Sequence, residues 1–193
     1  MTPLEEIIRA VASELDGAGV PFAVIGGLAV SVRTEPRSTR DADLAVSVAS
    51  DAAAEALVFR LLAAGFAVDS VLEHDTAARL ATVRISRQGT ERGPVVDLLF
   101  ASSGIEPEVT VGAERLEVLP GFQVPIARTG HLIALKLLSR DDTNRPQDVI
   151  DLHALIGTAS DVERDRARQA VALIEARGFN RGRNLAGDLA HLL

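Results

Sequence analysis

The stretch that most constrains this chain is Phe22 to Val46, FAVIGGLAVSVRTEPRSTRDADLAV. The apolar run Phe22–Ile25 reads as a buried strand. Gly26-Gly27 follow, then a short helical segment over Leu28–Arg33, then a basic turn, Arg37-Ser38-Thr39-Arg40. Asp41-Ala42-Asp43 then opens a second strand. A spacing of two along a strand puts both carboxylates on one face. Carboxylates so placed repel, and burial sharpens the conflict. A divalent cation relieves it, and an all-oxygen donor set suits Mg²⁺ (or Mn²⁺). The diglycine lets backbone approach a phosphate, with helix N-terminal N–H groups aimed at it. The stretch therefore predicts a site for a metal-bound nucleoside triphosphate.

Around it the chain alternates strands and helices. Thr2-Pro3-Leu4-Glu5 carries a capping Thr, a Pro at the first helical position and a Glu at the third. Ile7, Ile8, Val11, Ala12 and Leu15 continue at helical spacing until Gly17. After the acidic strand, Ser50 caps a helix that stops at Gly65. Strands are predicted over Phe66–Val71 and Arg79–Ser86, with a polar turn over Gln88–Pro94. Val95–Phe100 is near-continuously apolar, the pattern of a strand buried on both faces. Ser102–Pro125 reads as short strands and turns. From Thr129 the pattern is helical, with starts at Thr129, Pro146, a Ser160/Glu163 capping box and Asn184. The composition changes near residue 126, dividing a sheet-bearing part, 1–126, from a helical part, 127–193. The fold class is α/β (α+β), a mixed twisted sheet with a C-terminal helical part.

Three further residues carry chemistry. Asp97 is the one polar member of its apolar strand. Alone it would be a carboxylate paired with an Arg or with backbone N–H groups, because an isolated buried charge is costly. With Asp41 and Asp43 on a neighbouring strand it completes a cradle of three acids, suited to two cations clamping an in-line phosphoryl displacement. Lys136 is the only lysine, beside 19 arginines, and lies on an apolar helix with Arg140 four residues on. A compact ammonium suits a triphosphate. Arg145-Pro146-Gln147-Asp148-Val149-Ile150-Asp151-Leu152 follows, with Asp148 and Asp151 on one helical face. Asp148 is placed either to hold Lys136 or simply to cap the helix dipole.

The pattern Gly-Gly…Arg-x-Thr-Arg-Asp-x-Asp-Leu resembles the signature of the polymerase-beta-like nucleotidyltransferase superfamily. Followed by Leu-Lys-Leu-Leu…Arg-Pro-x-Asp-x-x-Asp-Leu, it resembles the AbiEii/MenT toxin family over residues 20 to 157. That resemblance implies a nucleotidyltransferase core with Asp41, Asp43 and Asp97 as catalytic acids and metal ligands. Gly26, Gly27 and Arg40 would bind nucleotide, Lys136 the triphosphate, and Asp148 would be a further active-site acid. Asp97 falls at a position less uniform in this family than in polymerases. The family implies transfer of a nucleotide from an NTP to the 3′ acceptor end of tRNA, which blocks translation, and a cognate antitoxin as partner. It also implies a regulatory phosphorylation of the hydroxyl in the turn before the acids, here Thr39, whose plain role is to bond backbone.

Composition narrows the alternatives. Cysteine is absent, which excludes disulfides and thiol chemistry. No apolar run reaches the ~20 residues that span a bilayer, so a cytoplasmic protein with no membrane partner is expected. The net charge of −7 disfavours broad nucleic-acid binding. Arg33, Arg37, Arg40, Arg140 and Arg145 are nevertheless placed to line one groove for a tRNA end. Arg177, Arg181 and Arg183 form a second basic cluster, and the four histidines show no metal-ligand spacing. Two other readings stay open: nucleotidyl transfer to a small molecule such as an antibiotic, or to a protein side chain, and a non-catalytic nucleotide-binding module.

Overall fold

The structure is a computed structural model that describes residues 2–74, 79–90, 93–119, 121–141 and 146–193. The element order is α1 (Pro3–Gly17), β1 (Phe22–Ile25), α2 (Gly26–Arg33), β2 (Ala42–Val46), α3 (Asp51–Ala63), β3 (Phe66–His74), β4 (Arg79–Arg87) and β5 (Val96–Leu99). There follow α4 (Glu106–Gly112), β6 (Glu114–Leu119), β7 (Phe122–Ile126), α5 (Thr129–Ser139), α6 (Pro146–Thr158), α7 (Asp161–Ala176) and α8 (Leu185–Leu192). The strands form one seven-stranded sheet, ordered β3-β4-β5-β2-β1-β7-β6. It is mixed: β2 runs parallel to β5 and β1 to β7, and the other neighbours are antiparallel. The α/β class expected from sequence is the one observed.

Local chemistry accounts for the element ends. Thr2 and Glu5 form the reciprocal capping box of α1, whose Ile7, Ile8, Val11, Ala12 and Leu15 are buried. Ser50 caps α3 through the Ala53 N–H. At α7 only half of the expected box forms. Ser160 accepts from the Glu163 N–H, but the Glu163 carboxylate accepts from the Gly130 N–H at 2.7 Å and so ties α7 to the start of α5. A side chain at Gly130 would collide with the Glu163 backbone, so the two helices approach closely here.

The apolar core is continuous through the change of composition at residue 126. Val24, Leu44 and Leu98 of the sheet belong to the same buried cluster as Leu132, Leu137, Leu152 and Ile174 of the helices. Side chains of this size stabilise by roughly 1.5–3 kcal/mol each when fully buried. Shared burial of that kind holds α5 and α6 at a fixed place over one end of the sheet.

Two expectations need correction. Ser102–Pro125 contains a helix, α4, rather than strands and turns alone. Its N-terminus is pinned by Glu106, buried at 2% exposure, which accepts from the N–H groups of Ser102 and Ser103 and from the Ser103 hydroxyl. β5 is not buried on both faces: Val96 and Leu98 are buried, whereas Asp97 and Leu99 look into a cavity.

Candidate active site

One cross-strand row builds the sheet side of the site. Ile25 of β1 pairs with Asp43 of β2, Asp43 with Asp97 of β5, Asp97 with Arg84 of β4, and Arg84 with Ser70 of β3. All five residues line one cavity of about 1040 Å³. Gly26, at the first position of α2, has φ +62, and a Cβ there would run into the Asp43 carboxylate. Glycine is therefore required twice over, for backbone conformation and for clearance. A Cβ on Gly27 would meet the Arg37 guanidinium at 2.8 Å and the Thr39 hydroxyl at 3.3 Å. The basic turn thus folds back over the start of α2. Ser31 holds it there by donating to the carbonyls of Gly27 and Arg37.

Asp41 does not share the strand with Asp43. β2 begins at Ala42, and Asp41 sits exposed on the turn before it, where its carbonyl accepts from the Thr39 hydroxyl at 3.0 Å. The hydrogen bond completes a turn that breaks the strand one residue early. The acids still sense one another. Burial pushes the Asp43 carboxyl up to about 6, reinforced by the charges of Asp97 and Asp41 and opposed by Lys136 and Arg84. Asp97 is engaged on both oxygens by Arg84, at 2.8 and 2.7 Å. That hydrogen-bonded pairing raises the Arg84 guanidinium above its ordinary range. Among the described residues no three acidic or histidine side chains converge to hold a metal ion as they stand. The expected cradle is therefore two opposed carboxylates, Asp43 and Asp97, of which Asp97 is claimed by Arg84, with Asp41 beside them on the turn. The donor set nonetheless fits a hard divalent cation. It is all oxygen, its charges are in conflict, and Gly26 leaves room against Asp43.

The helical side is the opposite in character. Lys136 of α5, 12% exposed, pairs with Asp148 of α6 at 2.6 Å and with Asp151 at 2.9 Å. Ser139 donates to the other Asp148 oxygen, and Gln147 to Asp151. Arg37 reaches Asp151 at 2.7 Å, so the basic turn is locked to α6. Burial works to raise the Asp151 carboxyl. The hydrogen bonds from Gln147, Lys136 and Arg37 outweigh it and hold the group below the usual carboxylate range. Of the two roles the sequence leaves open for Asp148, holding Lys136 or capping the helix dipole, the structure shows the contact with Lys136. Sequence reading gave no site role to Asp151, Ser139 or Arg84, all of which contribute.

The cavity is bounded by both sides, with Asp43, Arg84 and Asp97 opposite Lys136, Ser139 and Asp148. The turn after α7 closes a third side with Gly178, Arg181 and Gly182. That turn is anchored by Arg177, which grips Glu108 of α4 with two hydrogen bonds at 2.6 and 2.9 Å, and by Phe179 packed on Gly104. Arg183 caps the end of α5 through the carbonyls of Leu137, Leu138 and Arg140. The expected arginine groove is thus partly spent on structure. Arg33 bonds Glu114 and the Ala127 carbonyl, Arg37 is tied to Asp151, and Arg40 remains exposed. Arg145 lies outside the described residues. His131 is buried, and burial pushes its imidazole down to about 4, helped by Arg166. His153 and His191 are exposed. No helix among the described residues is long and apolar enough to cross a membrane.

Fold and site together define a nucleotidyltransferase-like protein. Two solved structures share the architecture. One is an antigenic nucleotidyltransferase-like protein from Paracoccidioides brasiliensis, 18% identical, with 97% of this chain and 92% of that chain covered at a TM-score of 0.57. The other is the antibiotic-resistance factor ANT(2'')-Ia, 18% identical, with 89% and 91% covered at a TM-score of 0.58. No curated protein matches the chain. Residues 9–191 match the family described as nucleotidyl transferase AbiEii toxin, type IV TA system, and the chain belongs to that family.

Proposed function

We propose that the chain transfers a nucleotide from an NTP to the 3′ acceptor end of tRNA, and that an antitoxin restrains it. The carrying observation is that the acid row and the Lys136–Asp148 pair face one cavity. Asp41, Asp43 and Asp97 are the residues placed to hold Mg²⁺ or Mn²⁺. When bound, such a cation neutralises charge on the phosphates and on the leaving group. Lys136 binds the triphosphate as a point charge, held in place by Asp148 and Asp151. Gly26 and Gly27 let the phosphates approach the backbone at the start of α2, and Arg40 extends the positive rim. In this reading Asp97 accepts the proton of the attacking hydroxyl. Phosphorylation of Thr39 would break its bond to the Asp41 carbonyl and set about −1.5 to −2 charges beside the acids.

A second reading is transfer to a small hydroxyl compound. It is favoured by the wall formed by β3 and β4, where Ser70, Glu73 and Thr82 line the cavity, and by the net charge of −7. A structure of ANT(2")-Ia with adenylyl-2"-tobramycin has the same fold, at 15% identity, with 89% of this chain and 97% of that chain covered and a TM-score of 0.58.

The test is to incubate the protein with Mg²⁺, each labelled NTP in turn, and total tRNA or an aminoglycoside. Label on tRNA that vanishes in Asp41→Ala supports the first reading. Label on the aminoglycoside alone selects the second. Tight NTP binding without transfer overturns both in favour of a binding module.

A further inference from the structure

Among the described residues Arg181 is the one non-glycine residue held at positive φ, at +55, in a turn where Gly178 is at +78 and Gly182 at +72. A Cβ makes this left-handed conformation unfavourable, and glycine is its ordinary occupant. The turn uses glycine at its other two left-handed positions and keeps an arginine at this one. Strain kept at a single residue implies a task for its side chain. The neighbours have structural tasks. Arg177 grips Glu108, Phe179 packs on Gly104, the Asn180 side chain donates to the Arg183 carbonyl at 2.7 Å, and Arg183 caps α5. The turn is a fixed mount, and Arg181 is the cation it presents to the cavity.

Strand register says which end of the cavity this is. Ile25 pairs with Asp43, and Asp43 with Asp97, so Gly26 lies at the end where β2 and β5 begin. Ser102 and Ser103 line the cavity past the opposite end of β5, and the turn reaches that end, with Phe179 on Gly104. Between the two ends runs the row Leu99, Thr82 and Leu72. In the reaction proposed above, the triphosphate tail takes the Gly26 end beside Lys136. In-line displacement brings the attacking hydroxyl to the α-phosphate from the side away from the departing pyrophosphate. The acceptor therefore enters from the end that Arg181 serves. A planar guanidinium matches a phosphate bidentately. The acid at this end, Glu73, stands on β3, two strands from β5 and so about 10 Å across the sheet.

Resting on the nucleotidyl-transfer reading, we propose that Arg181 is an acceptor-binding residue: it takes a backbone phosphate of a nucleic-acid acceptor close to its 3′ end. The same charge selects against a polycationic acceptor such as an aminoglycoside.

The test is steady-state transfer to total tRNA by the wild type, Arg181→Gln and Arg181→Gly at several KCl concentrations. KM is taken separately for each NTP and for tRNA, and thermal unfolding is run on each chain. Arg181→Gln should raise the KM for tRNA about tenfold and lower the slope of log KM against log[KCl] by about one, as loss of one phosphate contact requires. The KM for NTP should not change. Arg181→Gly should weaken tRNA in the same way and yet unfold at the wild-type temperature or above it, because glycine relieves the backbone. An arginine with a purely structural task would instead lower the unfolding temperature of both variants and leave the salt slope of any folded one unchanged. That result, a KM for tRNA equal to the wild-type value, or a rise in the KM for NTP that depends on the base, would overturn the proposal and leave nucleotidyl transfer standing. A wild-type chain that labels an aminoglycoside and not tRNA, or labels neither, would overturn both.

Discussion

The two walls of the cavity handle charge in opposite ways. On the helical wall Lys136 and Arg37 meet Asp148 and Asp151 one for one, at 2.6 to 2.9 Å. On the sheet wall Asp43 and Asp97 stand opposite each other in parallel register with a single guanidinium between three acids. The helical wall is complete as folded. The sheet wall holds a conflict that a proton or a cation relieves, and burial beside Asp97 pushes the Asp43 carboxyl up to about 6. Under the proposed function the matched wall holds Lys136 in place for the triphosphate, and the unmatched wall takes the cation.

That contrast is broken most sharply by removing a member of each wall. Asp43→Ala should lower nucleotidyl transfer on the order of 10³-fold or more, measured as initial rate at saturating Mg²⁺, because it removes a carboxylate placed to hold the cation. Loss of less than tenfold would remove Asp43 from the site. On the helical wall, Asp151→Ala leaves two cations facing one acid at a position 2% exposed. It should cost about 3 kcal/mol in denaturant unfolding. A change within error would mean that the network is not what holds α6 to the basic turn.

The same comparison gives opposite signs for stability. The Asp43 carboxyl has an ordinary value of 3.8 and a folded value of about 6, so the folded state binds its proton more tightly. Stability from this group is present below about pH 4 and is lost as pH rises through 6. Asp43→Asn should therefore stabilise the metal-free chain by up to about 3 kcal/mol above pH 6, and by nothing below pH 4. Thermal unfolding at both ends of that range checks the sign, and destabilisation at neutral pH would refute it. The smallest effect belongs to Arg177→Ala. Its pair with Glu108 is partly exposed and should contribute about 1 kcal/mol or less. A larger loss would mean that the turn after α7 depends on that pair alone.

Several residues singled out from sequence, Gly26, Asp43, Asp97, Lys136 and Asp148, line one cavity, because their types and spacings state their chemistry locally. Arg84 was not legible in the sequence. Alternation in β4, with Ala81, Val83 and Ile85 buried, fixes its face, but only the register against β5 shows that it meets Asp97. Asp151 was visible three residues after Asp148, yet its role depends on Arg37, which is 114 residues away in sequence. α4 was missed because it is seven residues long and carries Val109-Thr110-Val111, β-branched residues that read as strand. Asp41 was placed on the strand because periodicity does not register a turn hydrogen bond such as that from Thr39. Tertiary register and turn closure, rather than local pattern, decide the cases of Arg84, Asp151 and Asp41.

The central claim is that acids from the sheet and an ammonium from the helices act on one triphosphate. A double-mutant cycle on Mg²⁺-dependent NTP affinity tests it most directly, using Asp43→Asn, Lys136→Met and the pair. If both groups hold the same ligand, the losses should be strongly non-additive, with the double variant little weaker than the poorer single one. Losses that simply add would place the two residues on separate tasks and contradict the claim.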